Sequence, residues 1–142
     1  MTLFHLLGLA LKSDEVIELL EHHEVEVVYD FDRLHENTPD VYRALAPQAG
    51  FELRFNDQQI LDTIFMYAQP REPFSSIEPD MAGVPLHPGF AEANAAFQRD
   101  GTPLRSSPNG QRWIKGDFGT HLIHYEFDHD GALSLVTVMT DD

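Results

Sequence analysis

Gly50-Phe51-Glu52-Leu53-Arg54-Phe55-Asn56-Asp57-Gln58-Gln59-Ile60-Leu61-Asp62-Thr63-Ile64-Phe65-Met66-Tyr67-Ala68 reads as a β-hairpin, and the rest of the chain can be ordered around it. Phe51, Leu53 and Phe55 alternate with Glu52 and Arg54, the period of a strand with one wet face. Asn56-Asp57-Gln58-Gln59 supplies turn formers. Residues 60–68 return as a second strand, and their density of apolar side chains predicts burial on both faces. The pattern recurs 72 residues later, where Phe127-Asp128-His129 leads through Asp130-Gly131 to Leu133 and Val136. Asp-Gly is a strong hairpin signal, because both central residues of the tight turn need positive φ.

Further elements flank the two hairpins. Residues 13–22 predict a helix with Ser13 as N-cap, Asp14 and Glu15 in the first turn, and Val16, Ile17, Leu19 and Leu20 inward. Residues 24–30 alternate and are β-rich, so they predict a strand. Residues 31–49 read as a long connection with a helical turn at 41–45, and residues 69–79, with three prolines, as a linker. Residues 89–98 predict a second short helix, 99–110 a loop, and 111–115, 120–128 and 132–140 strands. Gly8-Leu9-Ala10-Leu11 before the first helix matches Gly83-Val84-Pro85-Leu86 before the second, 75 residues on. The expected architecture is α+β: an antiparallel sheet of about six strands with two helices on one face, built from two helix-plus-sheet repeats. The repeats would span about 5–68 and 81–140 within a single domain, 1–142, joined by the proline-rich linker 69–80.

Composition narrows the function classes. Nine Lys plus Arg against 24 Asp plus Glu give −15 with His neutral. That balance argues against nucleic acid and anionic membrane as partners, both of which need a basic face. The chain has no cysteine, which excludes disulfide scaffolds, Cys-zinc sites and Cys nucleophiles. The apolar run over residues 3–11 is interrupted by His5, has no preceding Lys or Arg, and is followed by Lys12-Ser13-Asp14-Glu15, so it does not read as a signal peptide. The expectation is a cytoplasmic protein that starts near residue 1.

The C-terminal half carries a resemblance. Gly83-Val84-Pro85-Leu86 leads a short helix, followed by Trp113, the aromatic strand His124-Tyr125-Glu126-Phe127-Asp128, the Asp130-Gly131 turn and Leu135-Val136-Thr137-Val138-Met139. Gly50-Phe51-Glu52-Leu53-Arg54-Phe55 and Ile64-Phe65-Met66-Tyr67 complete it in the first half. This layout resembles bacterial immunity proteins of polymorphic toxins, of the pyocin-type or type VI secretion kind. It is also similar to the tandem helix-plus-sheet repeat of β-lactamase inhibitor proteins. The resemblance implies a stoichiometric inhibitor without catalysis. The chain departs from the secreted inhibitors in lacking cysteines and a signal peptide, which turns the expectation away from a periplasmic enzyme target.

Motifs for catalysis and cofactors are weak. Among the eight histidines, His22 and His23 are adjacent on a helix end, His121 and His124 fall on opposite faces of a strand, and His129 sits in a turn between Asp128 and Asp130. No metal site and no cofactor is expected. Asp40 with Glu52-Leu53-Arg54 only loosely mimics a nuclease arrangement, since Arg cannot replace the proton-transferring lysine. No nucleophile elbow, dinucleotide fingerprint or phosphate loop is present. No catalytic residue is assigned.

Three patches are candidates for partner binding. The first is acidic: ten acids between Asp14 and Asp40 face only Arg33, and Glu24, Glu26, Asp30, Asp32, Glu36 and Asp40 serve no evident local need. Tyr29, Phe31 and Tyr42 lie among them, so charges would steer a basic partner and Tyr42 would anchor it. Trp113 with Arg112 and Lys115 is the second patch, and the sheet face carrying Glu52, Arg54, His124 and Glu126 is the third. The expected function is neutralisation of a cognate toxin with a basic surface, a cationic nuclease effector, by occluding its active site or substrate groove. A secretion adaptor or chaperone, or a small hydrolase, is the alternative.

Overall fold

A computed structural model describes residues 2–30 and 40–141. Its frame is one eight-stranded antiparallel sheet. The strands are β1 (Glu26–Asp30), β2 (Val41–Ala46), β3 (Phe51–Phe55), β4 (Leu61–Tyr67), β5 (Leu104–Ser106), β6 (Trp113–Asp117), β7 (His121–Phe127) and β8 (Leu133–Thr140). They lie in the order β1-β2-β3-β4-β8-β7-β6-β5. Each half of the chain is thus a four-stranded meander, and the two join where β4 pairs with β8. The helices are α1 (Asp14–His22), α2 (Pro79–Ala82) and α3 (Phe90–Asp100), preceded by a 3₁₀ turn at Phe4–Leu6.

Alternation in the strands creates the core. Leu53 stands opposite Ile64, Ile64 opposite Val138, and Val138 opposite Ile123, so one buried row crosses the join between the meanders. Phe51, Met66, Val136, Tyr125 and Ile114 form the next row. Leu3, Leu6, Val16, Ala82, Ala93 and Phe97 from the helical segments join this same cluster. Burying one face of such a sheet is its main stabilisation, at roughly 25 cal/mol per Å² of apolar surface removed from water. Among the described residues the opposite face carries no helix and is composed of the alternate residues.

The expected sheet of about six strands with two helices on one face is incorrect. Among the described residues there are eight strands, three short helices and a 3₁₀ turn. Two strands fell in segments read as connections. Val41-Tyr42-Arg43-Ala44-Leu45-Ala46 has the composition of a helical turn, but it lies between β1 and β3 and takes ladder bonds from both, so pairing overrides propensity. Leu104-Arg105-Ser106 is too short for periodicity to show, and its pairing with β6 defines it. The third helix, α2, starts at Pro79 at the end of the proline-rich segment, where a proline suits the first helical position. Two details of α1 also differ. The Ser13 hydroxyl donates to the Ala10 carbonyl at 2.7 Å instead of capping the helix, and Ile17 is exposed while Val16 is fully buried.

Candidate partner-binding face

While Arg112 precedes β6, strand register places Trp113 and Lys115 of the second candidate patch on one surface with the third, the helix-free face. One row across it reads Glu26, Leu45, Glu52, Phe65, Thr137, His124 and Lys115. The next holds Tyr67, Leu135, Glu126 and Trp113. Arg54 lies in the neighbouring row, opposite Arg43 and Thr63. A two-residue period put these side chains on the same side of strands that are distant in sequence.

An ion pair stands on the β2–β3 part of this face. Glu52 is 7% exposed and accepts from Arg43 Nε at 3.1 Å and Nη2 at 3.2 Å, one bond to each carboxylate oxygen. Such forked pairing is what allows a carboxylate to sit among Leu45 and Phe65. Arg43 is the partner that sequence reasoning missed, because its strand was read as a connection.

Aromatic rings cover the middle and far side. Tyr67 stacks on Phe74 with centroids 4.3 Å apart, and the Arg71 guanidinium lies 5.6 Å from the Tyr67 ring centre. Arg71 also donates to Ser134 Oγ at 3.0 Å, which ties residues 71–74 to the sheet. Burial, reinforced by the Glu52 charge, raises the Tyr67 hydroxyl above its ordinary range. Trp113 is half-buried and meets His124 edge-on at 5.3 Å. His124 Nδ1 lies 3.7 Å from Glu126 Oε2. Burial lowers the His124 pKa and outweighs the opposing pull of Glu126, with Lys115 adding to the lowering. The imidazole is therefore a neutral group, met edge-on by Trp113, near pH 7.

The acidic patch is divided. Glu26 projects to the helix-free face beside Leu45, and Glu24 precedes β1 with φ 52. Asp30 ends β1 opposite Val41. Asp40 belongs to the other side of the sheet, where it accepts the Tyr29 hydroxyl at 2.6 Å and Tyr29 stacks on Tyr42 at 4.8 Å. That hydrogen bond is the leading cause that pushes the Tyr29 pKa up to about 12. Asp32 and Glu36 lie outside the described residues.

His121 contacts Phe4 and Phe118 on the helix side of the sheet, away from His124. Among the described residues no three His, Asp or Glu side chains gather as metal ligands. No helix among them is long and apolar enough to cross a membrane. Compared with protein families, curated proteins and solved structures, the chain has no match.

Proposed function

We propose that this chain is an immunity protein that neutralises a secreted bacterial toxin in the cytoplasm of the producing cell. It binds the toxin, a cationic nuclease domain, stoichiometrically and covers its active site or substrate groove. One observation carries the reading: a chain of net charge −15 holds a helix-free sheet face on which Phe65, Tyr67 and Trp113 stand beside the Arg43–Glu52 ion pair and the His124 imidazole. Negative charge steers a basic partner, and Trp and Tyr are the residues that most often anchor an interface. Exposed acids such as Glu24 and Glu26 present negative charge in place of substrate phosphate.

The test is co-expression with the protein encoded by the adjacent gene. That protein alone should arrest growth of a heterologous host, and this chain should restore it. Trp113→Ala should weaken the purified complex mainly through dissociation, about tenfold or more for an anchoring ring. Association should slow as salt rises, since exposed charges are screened beyond roughly 8 Å at physiological ionic strength. An adjacent gene product that is harmless, or whose toxicity this chain does not relieve, overturns the reading.

A further inference from the structure

A cavity of about 260 Å³ lies on the helix side of the second meander, between α3, residues 83–87 and β7. Its lining is mostly aromatic: Phe4, His87, Phe97, Phe118, His121 and Tyr125. These rings hold one another in place. Phe97 lies over Gly116, where a Cβ would stand 2.8 Å from its ring. Tyr125 and Phe118 meet it at 6.0 and 5.8 Å. His121 stacks on Phe118 at 5.0 Å and takes Phe4 edge-on at 4.8 Å. The Tyr125 hydroxyl donates to the Pro85 carbonyl at 2.7 Å, which fixes residues 83–87 against β7. Ala96, half-buried on α3, is too small to fill the space that remains. His87 packs on Tyr125 at 5.2 Å, and neither of its ring nitrogens hydrogen-bonds to a described residue or is sealed from solvent. Burial lowers its pKa, with Arg99 adding to the lowering and Glu92 opposing it. Near pH 7 the ring is therefore neutral and offers one donor and one acceptor.

We propose that this cavity binds a small neutral phenol, its ring seated among the aromatic walls and its hydroxyl hydrogen-bonded to the His87 imidazole. Size, lining and charge select that class. An apolar cavity of roughly 150 Å³ holds a benzene ring, and drug-sized molecules need roughly 300 Å³ or more, so this one suits a single substituted ring. Aromatic walls favour an aromatic guest, which they can meet edge-on or offset. At the mouth Arg99 is already paired with Asp100 at 3.1 Å, so a carboxylate on the guest would enter without a partner, and so would an ammonium. A phenolic hydroxyl donates to the acceptor nitrogen of His87, whereas an alkylbenzene leaves that nitrogen unused. The proposal is independent of the toxin reading, whose surface is the opposite face of the sheet.

The probes are p-cresol, its isostere p-xylene and the anion p-toluate, titrated by calorimetry and followed by amide NMR shifts. p-Cresol should bind as one molecule per chain, saturate below about 1 mM and shift the amides of residues 83–87 and of α3. It should bind at least about tenfold more tightly than p-toluate, whose charge finds no partner. His87→Leu, checked for an unchanged circular dichroism spectrum, should weaken p-cresol about fivefold and leave p-xylene within about twofold, the signature of one lost hydrogen bond. Ala96→Phe fills the cavity from a half-exposed helix position and should abolish binding of both. Absence of saturable binding, shifts confined to the helix-free face, p-toluate bound as tightly as p-cresol, or p-cresol affinity unmoved by either variant each overturns the proposal. So does tighter binding of a Gly-Ser-Tyr-Ser-Gly peptide than of p-cresol, which assigns the cavity to a tyrosine side chain of a partner protein.

Discussion

The β3–β4 and β7–β8 hairpins turn on the same hydrogen-bond frame. In the first, Asn56 Oδ1 accepts from the amides of Gln58 at 2.9 Å and Ile60 at 3.1 Å, and the Gln59 amide donates to the Asn56 carbonyl. In the second, Asp128 Oδ1 accepts from Asp130 and Ala132, both at 2.9 Å, and the Gly131 amide donates to the Asp128 carbonyl. Each register slips at the same place, between Arg54 and Phe55 and between Glu126 and Phe127. Different side chains fill the frame: Asn with Gln59 at φ 64 in one, Asp with Gly131 at φ 85 in the other. The surroundings differ more. Residues 75–77 are bonded onto the first meander through Ser75 N to Pro47 O and Ile77 N to Tyr67 O, both 2.7 Å. Backbone bonds define the turn, while the side chains and neighbours determine how strained and how pH-sensitive it is.

The largest contrast should appear at the turns that lead into β3 and β7. Gly50 has φ 82, and a Cβ there would collide with the Ser75 carbonyl and stand 2.7 Å from Ile77 N. Both are backbone atoms of residues whose amides are hydrogen-bonded to the first meander, Ser75 N to Pro47 O and Ile77 N to Tyr67 O, so neither can swing away. Gly119 has φ 88 with nothing within 4 Å. Gly50→Ala should cost on the order of 3–5 kcal/mol, overpacking added to left-handed strain, and Gly119→Ala only about 1 kcal/mol. Urea unfolding followed by Trp113 fluorescence measures both. Equal losses would mean that residues 75–77 do not brace the first meander.

Both hairpins were legible in the sequence because alternation and turn chemistry are local. The Phe51, Leu53, Phe55 face and the Ile123, Tyr125, Phe127 face stand where the periodicity put them. β2 was not legible. Arg43-Ala44-Leu45-Ala46 carries no strand propensity, and only its two neighbours make it a strand. Missing β2 also hid Arg43 as the partner of Glu52 and placed Tyr42 in a helical turn. The shared face of Trp113, His124, Glu126 and Glu52 depends on β4 meeting β8, a contact between distant segments that no short window of sequence contains.

A smaller contrast concerns the left-handed residue of each hairpin. Gln59 contributes only backbone bonds that a glycine would keep: its amide donates to Asn56 and its carbonyl accepts from Leu11 at 2.7 Å. Gln59→Gly should therefore stabilise the fold by about 0.5–1 kcal/mol, the left-handed strain relieved less the added unfolded-state entropy. Gly131→Ala, with nothing within 4 Å of its Cβ, should destabilise it by about 1 kcal/mol. Denaturant midpoints moving in opposite directions support the shared frame. A loss from Gln59→Gly breaks it.

The smallest contrast emerges only in acid. The Gln69 side-chain amide, at 2.8 Å, is the leading cause that holds the Asp128 carboxyl below its usual range, followed by the backbone amide of Ala132. A carboxyl held lower in the fold than in the unfolded chain adds stability above its unfolded pKa. That contribution is lost as pH falls through the folded value. Asn56 has no charge to lose. In Asp128→Asn the backbone bonds to Oδ1 remain, but the new amide group opposes Gln69 Nε2, which still donates to the Leu133 carbonyl at 2.9 Å. The variant should unfold slightly more easily at neutral pH and lose less on acidification to about pH 3 than the parent chain does. The reciprocal Asn56→Asp places a carboxylate on the two turn amides, a charge-assisted arrangement, and should steepen the acid loss. Urea midpoints at the two pH values, compared across the parent, each variant and the double exchange, read this directly. An acid limb unmoved by Asp128→Asn would show that Gln69 and the turn amides do not favour the carboxylate, and the two hairpins would then differ only at Gln59 and Gly131.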